Sequence, residues 1–166
     1  MPRIITLVIA VIFSITISAQ NQTEELDTET SSAQVKNVIS TFFDGLHKGD
    51  STLLKSTLHK NIKIQTTFTN KKGEKQLRTQ SKENLLKGVA SKKPSDEYFE
   101  KLLSYTIKID GNLASVWTPY EFYLNGKFLH CGANSFQLFH NNGKWEIIYL
   151  VDMRRRGSCK ASNQKK

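Results

Sequence analysis

Glu121, His130, Asn134, Asp152 and Arg154 all fall within one stretch, VWTPYEFYLNGKFLHCGANSFQLFHNNGKWEIIYLVDMRRR, from Val116 to Arg156. The set holds two carboxylates, an imidazole, an amide and a guanidinium. Such groups together can move a proton, stabilise an enolate oxygen or hold an anion. They recur at strand period, so a shared strand face would bring them together. A strand face this polar is either wetted by solvent or built as a site.

Two tight turns must position them. Asn125-Gly126 is a strong two-residue hairpin signal, because both turn positions need positive φ. Asn141-Asn142-Gly143 marks a second turn. The strands on either side run from Leu113 to Tyr123, Phe128 to His140 and Trp145 to Arg155. Setting Leu124 against Lys127 puts Glu121 opposite His130, Pro119 opposite Gly132 and Trp117 opposite Asn134. Setting Phe139 against Trp145 puts His130 opposite Arg154, Gly132 opposite Asp152 and Asn134 opposite Leu150. One face then carries Trp117, Glu121, Tyr123, His130, Asn134, Phe136, Leu150, Asp152 and Arg154. Tyr120, Phe122, Cys131, Trp145, Tyr149 and Met153 belong to the other, which reads as packing or a dimer surface. A one-residue slip in either turn would exchange the faces.

On this register Glu121 raises the His130 pKa and Arg154 lowers it. A neutral His130 oriented by Glu121 is a candidate general base, and Asp152 is a second. Asn134 and Arg154 could stabilise an enolate or hold an anionic ligand. Trp117, Tyr123 and Phe136 offer stacking surface to a flat ring. The same Glu–His–Arg set would also serve as a cross-strand network that holds register without chemistry. His47 and His140 sit at element ends and read as solvent-facing, and His59 reads as a surface or capping residue. Metal-ligand spacing, a CxxC pair, a glycine-rich phosphate loop and a GxSxG elbow are all missing from the sequence, so neither a metal nor a cofactor is expected.

The rest of the chain supplies the frame. Arg3 followed by the apolar run from Ile4 to Ile17 and by Ser18-Ala19-Gln20 reads as a signal peptide over residues 1–19, too short to leave a stable membrane anchor. Residues 20–32 are polar and acidic and read as a disordered linker. Val35, Val38, Ile39, Phe42, Phe43 and Leu46 form one helical face. A short helix follows to Leu58, then a strand from Ile62 to Phe68, a turn and a return strand. Ser81 caps a further helix, and Tyr98 to Asp110 reads as one strand. This is an α+β fold whose helices must cover one face of a mostly antiparallel sheet. The domain spans residues 33–156 and a basic tail residues 157–166. Arg154-Arg155-Arg156 and the tail hold much of the formal +9 charge, which suits anionic partners in general. No sequence-specific nucleic-acid motif is present. In an exported chain Cys131 and Cys159 could form one disulfide, provided the tail folds back.

The helix text VISTFFDGLHKGD and the C-terminal text VWTPYEFYLNGKFLHCGANSFQLF…GKWEIIYLVDMRRR together resemble the nuclear transport factor 2-like (SnoaL-like) superfamily. Within it they are most similar to small exported bacterial proteins described as lumazine-binding or nuclear transport factor 2 family. The resemblance covers about Ala33 to Arg156. It implies a strongly curved, cone-shaped α+β barrel with a pocket, often a homodimer packed through the sheets. Met153 departs from the small polar residue expected before the arginines. The superfamily includes isomerases, dehydratases, cyclases and non-enzymatic binders, so fold alone does not choose among them. The leading expectation is an exported, periplasmic or secreted protein that binds a small, partly aromatic or anionic molecule. The alternatives are a cofactor-free acid–base enzyme using His130 or Asp152, and a protein-interaction module.

Overall fold

Val35, Ile39, Phe42 and Phe43 are the buried stripe of α1, a helix that occupies residues 29–48. The computed structural model describes residues 29–156 and residue 159. The expected signal peptide, most of the linker and most of the basic tail lie outside these residues. The helix already includes residues 29–32, which the sequence assigns to the linker. Asp50 accepts from the Leu53 N–H at 2.8 Å and so caps α2 (Ser51–Ser56). Ser81 caps α3 (Lys82–Ala90) in the same way, through the Asn84 N–H at 3.1 Å.

The strands are β1 (Leu58–Thr69), β2 (Lys75–Gln80), β3 (Tyr98–Leu102), β4 (Thr106–Asp110), β5 (Leu113–Leu124), β6 (Lys127–Asn141) and β7 (Lys144–Arg155). They form one curved, unclosed sheet in the order β2-β1-β7-β6-β5-β3, with β4 also paired to β5. All pairs are antiparallel except β1 with β7. The expected strand from Tyr98 to Asp110 is broken in two. Leu102 faces Tyr120 and Thr106 faces Trp117, so four steps on one side meet three on the other. The break falls opposite Pro119, which has no N–H to donate to a ladder.

The helices lie on the concave face. Phe42 and Phe43 of α1 pack edge-on against Phe136 at centroid distances of 5.7 and 6.1 Å. Phe136, Leu138, Ile147 and Trp145 complete this core from the sheet side. Burial of these large apolar groups, each worth about 1.5–3 kcal/mol, holds the helix layer on the sheet.

The two hairpins decide which side chains enter the cone. Asn125 and Gly126 both have positive φ, as do Asn142 and Gly143, so both connections are two-residue turns. Leu124 pairs with Lys127 as expected, but Leu129 is an extra residue, and beyond it Phe122 faces His130 and Glu121 faces Cys131. This bulge moves β5 by one residue against β6. Tyr120, Thr118 and Phe122 therefore turn into the concave face, and Glu121, Trp117 and Tyr123 turn out of it. The expected Glu121–His130 and Trp117–Asn134 pairs do not form. The shift is favourable because it buries Tyr120 and leaves Trp117 51% exposed, where the expected register would bury a carboxylate against His130.

In the second hairpin Asn141 pairs with Lys144, one residue away from the expected register, and a bulge between Gln137 and Leu138 on the β7 side adds a second offset. Gly132 thus faces Arg154, Asn134 faces Asp152 and Phe136 faces Leu150. The two offsets sum to an even number. His130, Asn134, Phe136, Leu150, Asp152 and Arg154 keep the common face read from the sequence, with different partners. Trp145 changes face and becomes core, 3% exposed.

Cys131 and Cys159 are joined in a disulfide, with Cα atoms 5.9 Å apart. The chain beyond β7 does fold back, and it is tied to β6 directly across from Arg155.

Candidate functional site

Register lays the concave face out in rows. One row runs Arg78, Thr66, Asp152, Asn134, Thr118 across five strands. The next runs Gln76, Phe68, Arg154, Gly132, Tyr120, Leu102. A third, nearer the hairpin tip, sets His130, Phe122 and Glu100 side by side. Strand neighbours are about 4.8 Å apart, so these side chains converge.

Asp152 is the hub. Its Oδ1 accepts from the Thr66 hydroxyl at 2.5 Å, and its Oδ2 accepts from the Tyr120 hydroxyl at 3.4 Å. Arg154 Nη2 lies 3.4 Å from the same Oδ2. Gly132 makes this possible. It lies between Tyr120 and Arg154, and the Tyr120 ring lies so close to it that an added Cβ would come within 2.9 Å of Cε1.

Beside the hub is a second carboxylate. Asn134 Nδ2 donates to Glu100 Oε1 at 2.7 Å, and the Glu100 backbone N–H donates to His47 Nε2 at 2.8 Å. Burial pushes the Glu100 carboxyl up to about 7; the Asn134 hydrogen bond and Arg154 oppose this, and Asp152 adds to it. Burial, then Asp152 and Glu100, also push the Tyr120 phenol up, so it remains a hydroxyl donor. His47 does not face solvent as expected. It packs between Phe43 and Phe99, and burial lowers its pKa against the pull of Asp44.

His130 has a different environment from the one expected. Its ring stacks on Phe122 at 4.8 Å and 6° between planes, and its buried Nδ1 has no hydrogen-bond partner among the described residues. Burial, then Arg154 and Arg156, lower its pKa to about 4. Glu121 instead accepts from the Tyr123 hydroxyl at 2.9 Å on the convex side. His130 is therefore a neutral packing group at pH 7 with no carboxylate to orient it. Phe136 sits under α1 as core. Trp117 and Tyr123 point away from the cluster. His59 lies within β1, where its Nδ1 accepts from the Asn61 N–H at 3.2 Å, at the far end of the sheet from Arg154.

Of the residues singled out from sequence, His130, Asn134, Asp152 and Arg154 are brought together. Glu100, Tyr120, Thr66 and His47 join them and were missed. Tyr120 was missed only through the bulge at Leu129. Glu100 and Thr66 sit on strands that no short turn ties to β5 or β7, so no local signal places them.

A cleft of about 1380 Å³ opens at the ends of β1, β2 and β7. Thr66 and Arg154, both partners of Asp152, are among its lining residues. Lys71, Arg78 and Arg156 also line it, as do Lys75 and Arg155 from the other face of their strands, and among the described residues no carboxylate does. The Arg78 guanidinium lies over the Phe68 ring at 4.8 Å. The cluster can offer hydrogen bonds to a polar head and, through Glu100, exchange a proton near neutral pH. The cleft can take negative charge. Among the described residues, no group of three or more His, Cys, Asp or Glu side chains is placed to hold a metal ion.

A family model described as "putative lumazine-binding" matches residues 30–151. The chain belongs to this family. Its fold is nuclear transport factor 2-like, as solved structures show. A nuclear transport factor 2-like protein of unknown function from Shewanella baltica OS155 superposes with TM-score 0.58 at 18% identity, covering 77% of this chain and 96% of that one. A nuclear transport factor 2-like protein with a cystatin-like fold from Novosphingobium aromaticivorans gives TM-score 0.64 at 13% identity, covering 84% and 92%. A protein from Streptomyces avermitilis described as a "putative dehydratase" of the same family gives 0.58 at 12%, covering 78% and 99%. At these identities the likeness shows the fold alone. No curated protein sequence matches the chain significantly. Membership of this family and the concave cluster together support small-molecule binding.

Proposed function

We propose that this member of the lumazine-binding family binds a small, flat, anionic molecule whose polar head meets the Asn134–Glu100–Asp152 cluster. The observation that carries this is Arg154. Its side chain is about half exposed (48%), it is held by the buried Asp152, and it also lines the cleft. A guanidinium held in place by one carboxylate, with donors still free to reach solvent, suits a ligand anion. The test is a fluorescence titration with 6-carboxylumazine, which is flat and anionic. Arg154→Ala should weaken binding by about 1.5–3 kcal/mol through loss of a charge-assisted hydrogen bond. Unchanged affinity would remove Arg154 from the site.

A second reading, a cofactor-free acid–base enzyme, is favoured by Glu100. A half-buried carboxyl raised to about 7 beside a hydrogen-bonding amide and a phenol is suited to proton transfer. In that reading Glu100 takes the place expected for His130, with Asp152 orienting Tyr120 and Arg154.

Export with cleavage after Ala19 belongs to the proposal. The Cys131–Cys159 bridge supports it, since such bridges persist in oxidising compartments. A homodimer through the convex face is part of the same proposal, supported by the exposure of Trp117 and Met153 there. Native mass spectrometry of the protein from its own host tests both. The expected result is twice the mass of a chain beginning at Gln20. A full-length monomer would refute both.

A further inference from the structure

We propose that the cleft is a second subsite that holds a phosphate-type anion on the tail of the ligand, with Arg78 as its anchor. This rests on the reading of the concave cluster as the site for the head. Arg78 stands two strands away from Asp152 in the same row, with only Thr66 between them. That separation is about 10 Å, the length of a short tail beyond a flat ring. A cation at this point has three features of a binding group. It is on the exposed edge strand β2, where a ligand can reach it. It is held over the Phe68 ring, a contact that uses the guanidinium's charge and leaves its N–H donors available to a ligand. Among the described residues no carboxylate lines the cleft to neutralise it or its companions Lys71 and Arg156.

The charge density also selects the class of anion. Arg78 shares the sheet face of Arg154, and Lys71 and Arg156 also line the cleft, more cations than a single carboxylate needs; guanidinium with ammonium groups is the donor set that matches a doubly charged phosphate oxygen cluster. Single-stranded nucleic acid is disfavoured, because among the described residues the one aromatic ring lining the cleft, Phe68, is already covered by Arg78. The ligand class is therefore a small molecule with a hydrogen-bonding ring at one end and a phosphate monoester at the other.

The test titrates three probes into the purified full chain: riboflavin (ring and tail without charge), flavin mononucleotide (the same with a phosphate monoester) and inorganic phosphate. Flavin mononucleotide should bind about tenfold or more tightly than riboflavin, and the preference should shrink as salt is raised. Arg78→Gln should abolish that preference and leave riboflavin affinity unchanged, with the melting temperature confirming the fold. Equal binding of the two flavins, or a preference that survives Arg78→Gln, overturns the proposal. So does inorganic phosphate binding as tightly as flavin mononucleotide, which would make the occupant a free anion. If none of the three binds, the subsite is also refuted. If flavin mononucleotide binds and loses affinity in Arg78→Gln while riboflavin does not bind at all, the subsite stands and the head-site reading fails.

Discussion

Glu100→Gln should make the protein more stable at pH 8, by up to about 3 kcal/mol, and leave it unchanged at pH 4.5. The carboxyl is raised from 4.5 to about 7, mainly by burial, and each tenfold gain in proton affinity on folding is worth about 1.36 kcal/mol. The sign follows from proton linkage. Between these two pH values the folded chain holds a proton on Glu100 that the unfolded chain has lost. The Glu100 contribution is therefore most favourable below 4.5, falls as pH rises through 7 and is constant above. Glutamine mimics the protonated form and can still accept from Asn134. His130 works the other way. Its pKa is lowered from 6.5 to about 4, so its contribution is lost as pH falls from 6.5 through 4, and His47, also lowered, acts in the same direction. In the wild type these slopes oppose one another between pH 4.5 and 6.5. In Glu100→Gln the histidine slope should appear alone, as stability that rises with pH across that interval. Urea unfolding at pH 4.5, 6 and 8 reads all of this. A variant less stable than wild type at pH 8 would mean that the Glu100 carboxylate is held charged by Arg154, contrary to the burial argument. Under the enzyme reading the same substitution should remove turnover, because it deletes the proton-transfer group without removing the hydrogen bond.

Gly132→Ala should cost more than about 4 kcal/mol, in the range reserved for changes that disrupt a core. A Cβ at this position would collide with the Met153 carbonyl oxygen and lie 2.9 Å from Tyr120 Cε1. The first is backbone in the β6–β7 ladder, so it cannot give way without parting Ala133 from Met153 and Gly132 from Arg154. The second is the ring whose hydroxyl reaches Asp152. Gly88 is the internal control. It lies in α3 with nothing within 4 Å of an added Cβ, so Gly88→Ala should be neutral or stabilising by about 0.5–1 kcal/mol. Thermal melts of the two variants make the comparison. A Gly132→Ala protein that melts within about 5 °C of wild type would refute the β5–β6–β7 register and the site built on it.

That register is also where sequence and structure part company. The turns at Asn125-Gly126 and Asn142-Gly143 are local, since each needs only residues that accept positive φ, and both were legible. So were the α1 stripe of Val35, Ile39, Phe42 and Phe43 and the caps at Asp50 and Ser81, because periodicity and capping act within a few residues. The family resemblance rests on the same text. The bulge at Leu129 was not legible. It is selected by what it does at a distance: it buries Tyr120 over Gly132, stacks Phe122 on His130 and expels Glu121 from a face where it would be a second buried carboxylate. Nothing near Leu129 announces those gains.

The sequence by itself determined the helix layer, the hairpins, and the common face of His130, Asn134, Asp152 and Arg154, since strand alternation survives an even offset. Tertiary structure alone decided their partners. Glu100 comes from β3, Thr66 and Arg78 from β1 and β2, and His47 from the end of α1, all distant in sequence and joined only by sheet order and helix packing. Periodicity can say which way a side chain points. Only the pairing of distant strands says what it meets there, and with it which carboxyl is buried enough to titrate near neutral pH.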